Sequence, residues 1–217
     1  MAKRIYFIAK TSYQGLIVEK TIEYEHFRGE SQKQKEKSIL SMHHAIRAYE
    51  SGGKILDVSK YSNERLGRDL AGVNLKYRTE LGTAYPVMNI FESAKVFEGG
   101  GPYQDLLTEE SRAVSQDRRL KGSGRLLGFH FEGEPYSLTP RHYFFDWIYI
   151  NALYQHKELH EKIIAYDMIT DLDYSMNSMF ASSARACAYF ISLYHADLLE
   201  DALTSNESFL KIYRMVF

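Results

Sequence analysis

The residues best suited to chemistry lie in one short segment near the middle of the chain. Glu92 and Lys95 are three positions apart, a spacing that places an acid and an amine on the same face of a helix. Three successive glycines follow, Gly99, Gly100 and Gly101, and the backbone N–H groups of such a turn can bind an anion. The alternative is a surface ion pair, worth about 0.3 kcal/mol, beside a helix that ends in glycine. Three glycines exceed what a helix end requires, so the functional interpretation is retained.

Acidic residues elsewhere have more than one interpretation. Asp146 lies in the most apolar stretch of the chain, between Phe145 and Trp147, and a buried carboxylate must be paired, hydrogen-bonded or protonated. It is either the structural partner of a buried arginine or backbone group, or a general acid with a raised pKa. Asp171 and Asp173 lie in a turn, where metal ligation competes with the commoner helix-capping role.

The chain contains no complete motif for a metal or a nucleophile. His156 and His160 have the i, i+4 spacing of metal ligands, but the glutamate and the third ligand of zinc motifs are missing. A solvated helix face is therefore the better interpretation of this pair. Neither a phosphate-binding loop with its lysine nor a Ser–His–Asp arrangement is recognisable. We therefore expect no metal and no cofactor.

The composition excludes several classes of protein. With 27 basic and 28 acidic residues the net charge is −1, which excludes a strongly basic nucleic-acid binder and leaves only a local basic patch. The single cysteine cannot form an internal disulfide and favours a reducing compartment. No stretch approaches 18 apolar residues, so we expect no membrane-spanning helix and a cytoplasmic location. The patch consists of Arg112, Arg118, Arg119, Lys121 and Arg125.

The elements that must position these residues follow from hydrophobic periodicity. A chain of 217 residues, 45% of them hydrophobic, can bury a core without disulfides. Strands are predicted at residues 4–9, 16–24 and 54–59, with a hairpin at 126–131 and 134–138. Helices are predicted after the charged stretch 29–37 and at 87–97, 141–154, 158–166 and 181–203, the helix at 141–154 capped by Thr139 and Pro140. No linker or repeat is visible, so we predict one compact, helix-rich α+β domain over residues 1–217, with strands in 1–30 and a helix-rich body in 31–217.

Short sequence blocks, spread in order from residue 31 to residue 185, carry a family resemblance. The blocks are residues 31–35 with 41–43, then 59–60, 66–67 with 70 and 74–75, 91 with 95–98, 100–103 with 105–107, 117–118 with 119–120, 123–124, 146–147 with 151–153, 170–171 and 184–185. Each block alone is weak, but their order is informative. Together they resemble the NADAR-domain (YbiA-like) family, and most closely the NADAR antitoxins paired with guanine-modifying DarT-type toxins.

This resemblance implies a function and a set of residues. It implies hydrolysis of the bond between ADP-ribose and the guanine base of DNA, with ADP-ribose as product, in an antitoxin or a viral counter-defence protein that opposes a DarT-type toxin. Lys95 would be catalytic, with Glu92 and Asp146 as carboxylates, and the basic patch would hold phosphates of single-stranded DNA. The substrate contacts implied are Ser59, Lys60, Asn74, Phe97, Glu98, Gly99, Gly100, Gly101, Tyr103, Trp147 and Asp171.

The chain departs from the family pattern in two places. The relatives carry Val-Glu, two residues, Phe-Gln, two residues, then Lys, whereas here Met88 replaces the glutamate and Glu92 the glutamine. Either the carboxylate has moved by one helical turn, or catalysis is impaired and the protein binds ADP-ribose or a toxin without turnover. Near the C-terminus an Asn-Cys-Gln-Ala-Arg pattern becomes Ala-Ser-Ser-Ala-Arg at residues 181–185, which removes two amides.

Overall fold

The computed structural model describes residues 1–9, 15–173 and 180–216, which form helices and short strands in alternation. The strands are β1 (Ala2–Ala9), β2 (Ile17–Tyr24), β3 (Ile55–Asp57), β4 (Lys76–Arg78), β5 (Ala84–Pro86), β6 (Lys95–Phe97), β7 (Leu126–Phe131), β8 (Glu134–Tyr136) and β9 (Met168–Thr170). The helices are α1 (Gln32–Arg47), α2 (Arg65–Asp69), α3 (Val87–Ser93), α4 (Ser111–Val114), α5 (Arg119–Gly122), α6 (Tyr143–Gln155), α7 (Lys157–Ile163), α8 (Ser183–His195), α9 (Leu199–Leu203) and α10 (Asn206–Val216).

A four-stranded sheet in the order β2-β1-β9-β3 is the scaffold of the N-terminal part. β1 pairs antiparallel with β2 along its whole length and with β9, whereas β3 runs parallel to β9. Successive residues of β1 face opposite sides, so Tyr6 packs in the cluster under α1 and Phe7 in the main core with α8. The parallel pairing places Asp57 and Thr170, the last residues of β3 and β9, side by side at one edge.

The main core is built around α6, which is apolar on nearly every side. Such a helix can only be stable inside a protein, and Phe144, Phe145 and Tyr149 are indeed fully buried. Phe91 of α3 packs on Phe144 and Phe145, with ring centroids 6.3 and 5.3 Å apart. These contacts anchor the end of α3, which carries Glu92, on the most rigid part of the core.

Several sequence predictions are confirmed. The chain is a compact, helix-rich α+β structure with two N-terminal strands, and β7 and β8 form the hairpin around Gly133. α1 begins in the charged stretch, where the Ser31 side chain accepts a hydrogen bond from the Gln34 N–H. This is the ordinary N-cap contact of a helix that begins after serine.

Other predicted boundaries are wrong. The helix predicted over 87–97 ends at Ser93, because Lys95–Phe97 pairs with β7 as a strand. The helix predicted from 141 begins at Tyr143, so Thr139 is not its cap. The helix predicted over 181–203 is two helices, separated near Asp197, whose φ of 57° cannot continue a helix. The helix predicted over 158–166 ends at Ile163.

Several elements are absent from the sequence predictions. They include the β4–β5 hairpin, β9 and α10. Phe209 and Tyr213 of α10 are buried and pack against Tyr143 of α6. Their spacing of four residues is the helical signal that identifies α10.

Candidate functional site

Lys95 and Glu92 form a shielded ion pair where α3 ends and β6 begins. Lys95 Nζ lies 2.6 Å from Glu92 Oε2, and each side chain is only 17% exposed. The contact has the i, i+3 spacing expected from the sequence, although Lys95 lies on a strand rather than on a helix. Solvent screens a pair of this kind less than an exposed one, so the two charges interact strongly while both groups stay accessible.

Aromatic side chains form the floor under this pair. The Lys95 ammonium lies 4.8 Å from the centroid of the Phe91 ring. That ring is fixed in turn by Phe129, Phe144 and Phe145. The ammonium is therefore held between a carboxylate and a ring face that cannot move aside. A cation held in this way can stabilise negative charge or protonate a leaving group.

Gly72 lies beside Met88 of α3 and Ser183 at the start of α8. Its carbonyl accepts the Met88 N–H at 2.9 Å. A Cβ at Gly72 would lie 3.1 Å from Ser183 Oγ and 3.6 Å from Met88 Cε. Met88 and Ser183 stand where the family pattern has a glutamate and a glutamine, so the two departures from the pattern lie together. Glu92 is one helical turn from Met88 on α3.

Two N–H groups of the glycine segment donate to carbonyls of the protein. The Gly99 N–H donates to the Ser123 carbonyl at 2.8 Å, and the Gly100 N–H donates to the Phe97 carbonyl at 3.3 Å. The pyrophosphate contact expected of Gly99, Gly100 and Gly101 stays a prediction. The segment also allows close packing: Gly101 has a φ of 94°, and a Cβ there would lie 2.2 Å from the Lys95 carbonyl oxygen.

The residues that flank the glycines have protein partners. Phe97 is buried and stacks on Tyr103 with ring centroids 6.4 Å apart. The Tyr103 hydroxyl lies 2.6 Å from Ser123 Oγ, and Glu98 forms an ion pair with Arg125 at 3.1 Å. These contacts fix the glycine segment against β6. The ligand contacts expected of Phe97, Glu98 and Tyr103 stay predictions.

Asp146 and Trp147 face α10. Asp146 is fully buried and accepts hydrogen bonds from the Arg185 guanidinium and, at 3.0 Å, from the Tyr213 hydroxyl. The Trp147 ring packs on Phe209 with centroids 5.3 Å apart. These contacts favour the structural alternative for Asp146, the partner of a buried arginine, over the general acid. They also join two of the sequence blocks that carry the resemblance.

Three other expected substrate contacts lie at the edge where β3 and β9 end. Ser59 is 1% exposed and donates its hydroxyl to Asp57, and the ligand contact expected of it stays a prediction. Lys60 is exposed, with its ammonium 5.0 Å from the Tyr61 ring centroid. Asp171 is 8% exposed, beside the end of β9. Lys60 and Asp171 therefore remain candidates for the site.

Asn74 lies in a different cleft. It is exposed, and its Nδ2 donates to the Arg68 carbonyl at 2.8 Å. It lines an open cleft of about 690 Å³ between α2 and α7. The lining of this cleft does not include Lys95 or Glu92. The structure thus does not bring Asn74 together with the ion pair.

The basic patch is partly neutralised. Arg119 forms ion pairs with Asp105 at 2.6 Å and Asp117 at 2.9 Å, and Arg125 pairs with Glu98. These two arginines are therefore members of surface ion pairs. Three members of the patch are exposed and make no ion pair with any residue that the structure describes: Arg112, Arg118 and Lys121.

The two histidines at metal-ligand spacing have separate protein partners. His156 Nε2 lies 2.9 Å from the Lys76 carbonyl, and the His160 ring packs edge-on against Phe190 with centroids 5.0 Å apart. Within the described ranges 1–9, 15–173 and 180–216, no three side chains of the metal-ligating types come together. This pair is therefore part of the fold's own contacts.

Sequence reasoning missed Asp57, a charged residue close to Lys60 and Asp171. It is 1% exposed and accepts four hydrogen bonds, and burial raises its pKa to about 6. The sequence shows only an aspartate at the end of an apolar strand, and this pattern alone does not identify a functional residue. Its importance comes from Thr170 and Leu172, which lie far away along the chain.

The fold and the site together define a helix-rich α+β protein with a shielded lysine–carboxylate pair above an aromatic cluster. A family model described as the DarT1-associated NADAR antitoxin matches residues 2–216. The chain therefore belongs to the family of DarT1-associated NADAR antitoxins, which confirms the resemblance. None of the curated proteins compared with the chain matches it. In the part of the chain that the structure describes, no helix is long and apolar enough to span a membrane.

Proposed function

We propose that the protein is an antitoxin enzyme that removes ADP-ribose from guanine in DNA by hydrolysis and so reverses a DarT1-type toxin. Membership of the antitoxin family supports the class of function. The chemistry is supported by one observation above all, the shielded 2.6 Å contact between Lys95 and Glu92. We place the activity in the cytoplasm, on single-stranded DNA, with no metal or cofactor.

The proposed reaction uses both members of the pair. The bond to be broken joins the anomeric carbon of ADP-ribose to the exocyclic nitrogen of guanine. The Glu92 carboxylate takes a proton from the water that attacks this carbon, and the Lys95 ammonium gives a proton to the departing nitrogen. ADP-ribose and unmodified guanine result. The proton on Glu92 then returns to Lys95 across their 2.6 Å contact, which restores the starting state.

A covalent route through Lys95 is the alternative mechanism. The Lys95 ammonium would first pass a proton to Glu92, and the resulting amine would attack the anomeric carbon of the ring-opened sugar, which is bonded to the guanine nitrogen as an imine. The guanine amino group is displaced and takes up a proton, Lys95 is left as a Schiff base with the sugar, and water hydrolyses it to ADP-ribose and the free lysine. Borohydride added during turnover would reduce this intermediate to a stable amine. Mass spectrometry of peptides that contain Lys95 distinguishes the routes, since direct hydrolysis leaves the lysine unmodified.

The proposal is tested by release of ADP-ribose from an ADP-ribosylated guanine oligonucleotide. Lys95→Ala should abolish release, and Glu92→Gln should slow it by about 10²–10⁴-fold with ADP-ribose binding retained. The Lys20–Glu50 pair on the N-terminal sheet has the same 2.6 Å separation and supplies matched controls, Lys20→Ala and Glu50→Gln. Release by Lys95→Ala within threefold of wild type would disprove the assignment. A change under threefold in Glu92→Gln would direct attention to Asp171.

A second candidate function is favoured by the positions of Met88 and Ser183, which both lie beside Gly72. Both positions have lost the polar groups of the family pattern, which is what a module that binds ADP-ribose or the toxin without turnover would tolerate. Met88→Glu distinguishes the two functions. If the wild-type protein releases no ADP-ribose and Met88→Glu does, the binding module is correct. If wild type turns over and Met88→Glu is no faster, the enzyme is correct.

A further inference from the structure

One buried carboxylate, that of Asp57, joins the two turns that follow β3 and β9. Its Oδ1 accepts the backbone N–H of Ser59 at 3.0 Å and the Ser59 hydroxyl. Its Oδ2 accepts the Thr170 hydroxyl and the Leu172 N–H, both at 3.0 Å. Each turn therefore gives Asp57 one backbone donor, and each also gives it one hydroxyl. No other carboxylate in the described part of the chain is shown to link these two turns.

The network continues into α1 through His43. His43 Nε2 lies 3.0 Å from Thr170 Oγ1. The single hydroxyl proton of Thr170 is directed at Asp57, so His43 must be the donor to Thr170. Burial lowers the pKa of His43 to about 4, so the ring is neutral near pH 7 with its proton on Nε2. The Thr170 hydroxyl thus links His43 of α1 to Asp57 and so to the ends of β3 and β9.

The turns held by Asp57 carry Lys60 and Asp171, two of the residues predicted to contact ADP-ribose. We propose that Asp57 is a positioning residue, which holds Lys60 and Asp171 in the places where they bind ADP-ribose. This inference rests on the proposed function for the ligand it names. Asp57 is itself buried and so acts through the turns rather than on the substrate.

The geometry requires a carboxylate at this position, because all four partners donate. In Asp57→Asn the amide nitrogen would face two donors. A hydroxyl of Ser59 or Thr170 can rotate and accept, but a backbone N–H cannot, so one turn loses its backbone hydrogen bond. The substitution also removes a buried charge, whose ionised form is costly because burial raises the pKa of Asp57 to about 6. Loss of positioning should therefore appear without extensive unfolding.

The experiment compares Asp57→Asn with Ser192→Ala. Ser192 is a buried serine whose hydroxyl donates to the Leu16 carbonyl, so the control removes a buried hydrogen bond elsewhere. Amide hydrogen exchange is measured at Ser59 and Leu172, together with the thermal midpoint, the Kd of free ADP-ribose, and KM and kcat on the modified oligonucleotide. We expect Asp57→Asn to speed exchange at one of the two amides, and to raise Kd and KM, by about tenfold or more. The kcat should stay within threefold, because Lys95 and Glu92 are untouched.

Conservative changes at Thr170 give a second series. Thr170→Ser keeps the donor to Asp57 and should bind ADP-ribose like the wild type, whereas Thr170→Val should weaken binding in the direction of Asp57→Asn. The inference is overturned if Asp57→Asn leaves Kd and KM within threefold, or if Ser192→Ala raises them equally. A wild-type protein that neither binds nor hydrolyses ADP-ribose would overturn the proposed function and the ligand named for the turns. The exchange data would still decide whether Asp57 holds both turns.

Discussion

Replacing Asp146 by asparagine would decide whether its ion pair with Arg185 maintains the fold or serves catalysis. The Asp146 side chain is fully buried and that of Arg185 is 7% exposed. The substitution keeps the side-chain volume and an acceptor for the Tyr213 hydroxyl, but it removes the negative charge that faces the buried guanidinium of Arg185. Breaking a buried pair from one side costs about 3–5 kcal/mol.

The length of the chain determines how far this loss of unfolding free energy lowers the melting midpoint. For a protein of about this length, 1 kcal/mol shifts the melting midpoint by about 2–4 °C, so Asp146→Asn should lower it by about 6–20 °C. A further loss comes from Asp146 Oδ1, which has no hydrogen-bond partner among the residues that the structure describes. An amide nitrogen in its place would leave a buried donor unpaired. The fall should therefore lie above the lower end of this range.

Thermal unfolding at pH 7.5 measures the effect, and ADP-ribose release is followed at 15 °C, where the variant is still folded. Asp69→Asn is the matched control, since its pair with Arg65 is exposed and worth less than about 1 kcal/mol. The double change Asp146→Leu with Arg185→Met should recover stability, because it removes both buried charges. A midpoint within 2 °C of wild type, combined with lost turnover, would refute this account and make Asp146 a catalytic acid.

Three further comparisons each use a pair of proteins that differ in one physical respect. Gly101→Ala should lower the melting temperature more than Gly82→Ala. Both glycines have a positive φ, 94° and 84°, so alanine costs about 1–2 kcal/mol of stability at either position. Only at Gly101 would the added Cβ also clash with a backbone oxygen. Lys121→Ala should lower the slope of log affinity for single-stranded DNA against log salt by about 0.7. Arg119→Ala should change this slope little, because two aspartates already neutralise the Arg119 guanidinium. The unfolding free energy of Asp57→Asn, measured in urea, should fall more steeply than that of wild type between pH 6 and pH 4. The pKa of Asp57 is higher in the folded than in the unfolded state, so the folded wild type takes up a proton first as the pH falls. This uptake raises the unfolding free energy of the wild type by up to about 3 kcal/mol, and asparagine cannot contribute it.

Each comparison has an outcome that contradicts it. Equal losses for the two glycine variants would mean that β6 moves to admit the methyl group. Equal salt slopes for Lys121→Ala and Arg119→Ala would place the DNA on another face. Parallel pH curves for wild type and Asp57→Asn would show that Asp57 takes up no proton on folding in this range.

The sequence predicts local features of this protein well. The Glu92–Lys95 contact depends on two residues three positions apart, and it is present even though the helix predicted to carry it ends at Ser93. Spacing of three or four residues keeps side chains close in more than one local geometry. The β7–β8 hairpin and the N-terminal strands were predictable for the same reason, because short-range alternation and turn residues specify them.

The remaining features depend on residues that are distant along the chain. Asp57 and Thr170 are 113 positions apart, and Asp146 and Arg185 are 39 apart. Neither pairing leaves a periodic signal, since each needs only one aspartate and one donor at the right place in space. A contact of the glycine segment also depends on a separate part of the chain, since the Gly99 N–H donates to the carbonyl of Ser123.

The altered motif at the site is best explained by the charge around Lys95. The family pattern places a glutamate at the position of Met88, and losing that carboxylate alone would leave an ammonium that is 17% exposed without a counter-charge. An uncompensated charge that is partly desolvated is destabilising. Here the pattern's glutamine is replaced by Glu92, whose carboxylate lies 2.6 Å from the ammonium, so the charge balance is restored. Ser183, which occupies the position of the lost glutamine, lies with Met88 beside Gly72. The two departures are thus consistent with one relocated carboxylate rather than with two independent losses.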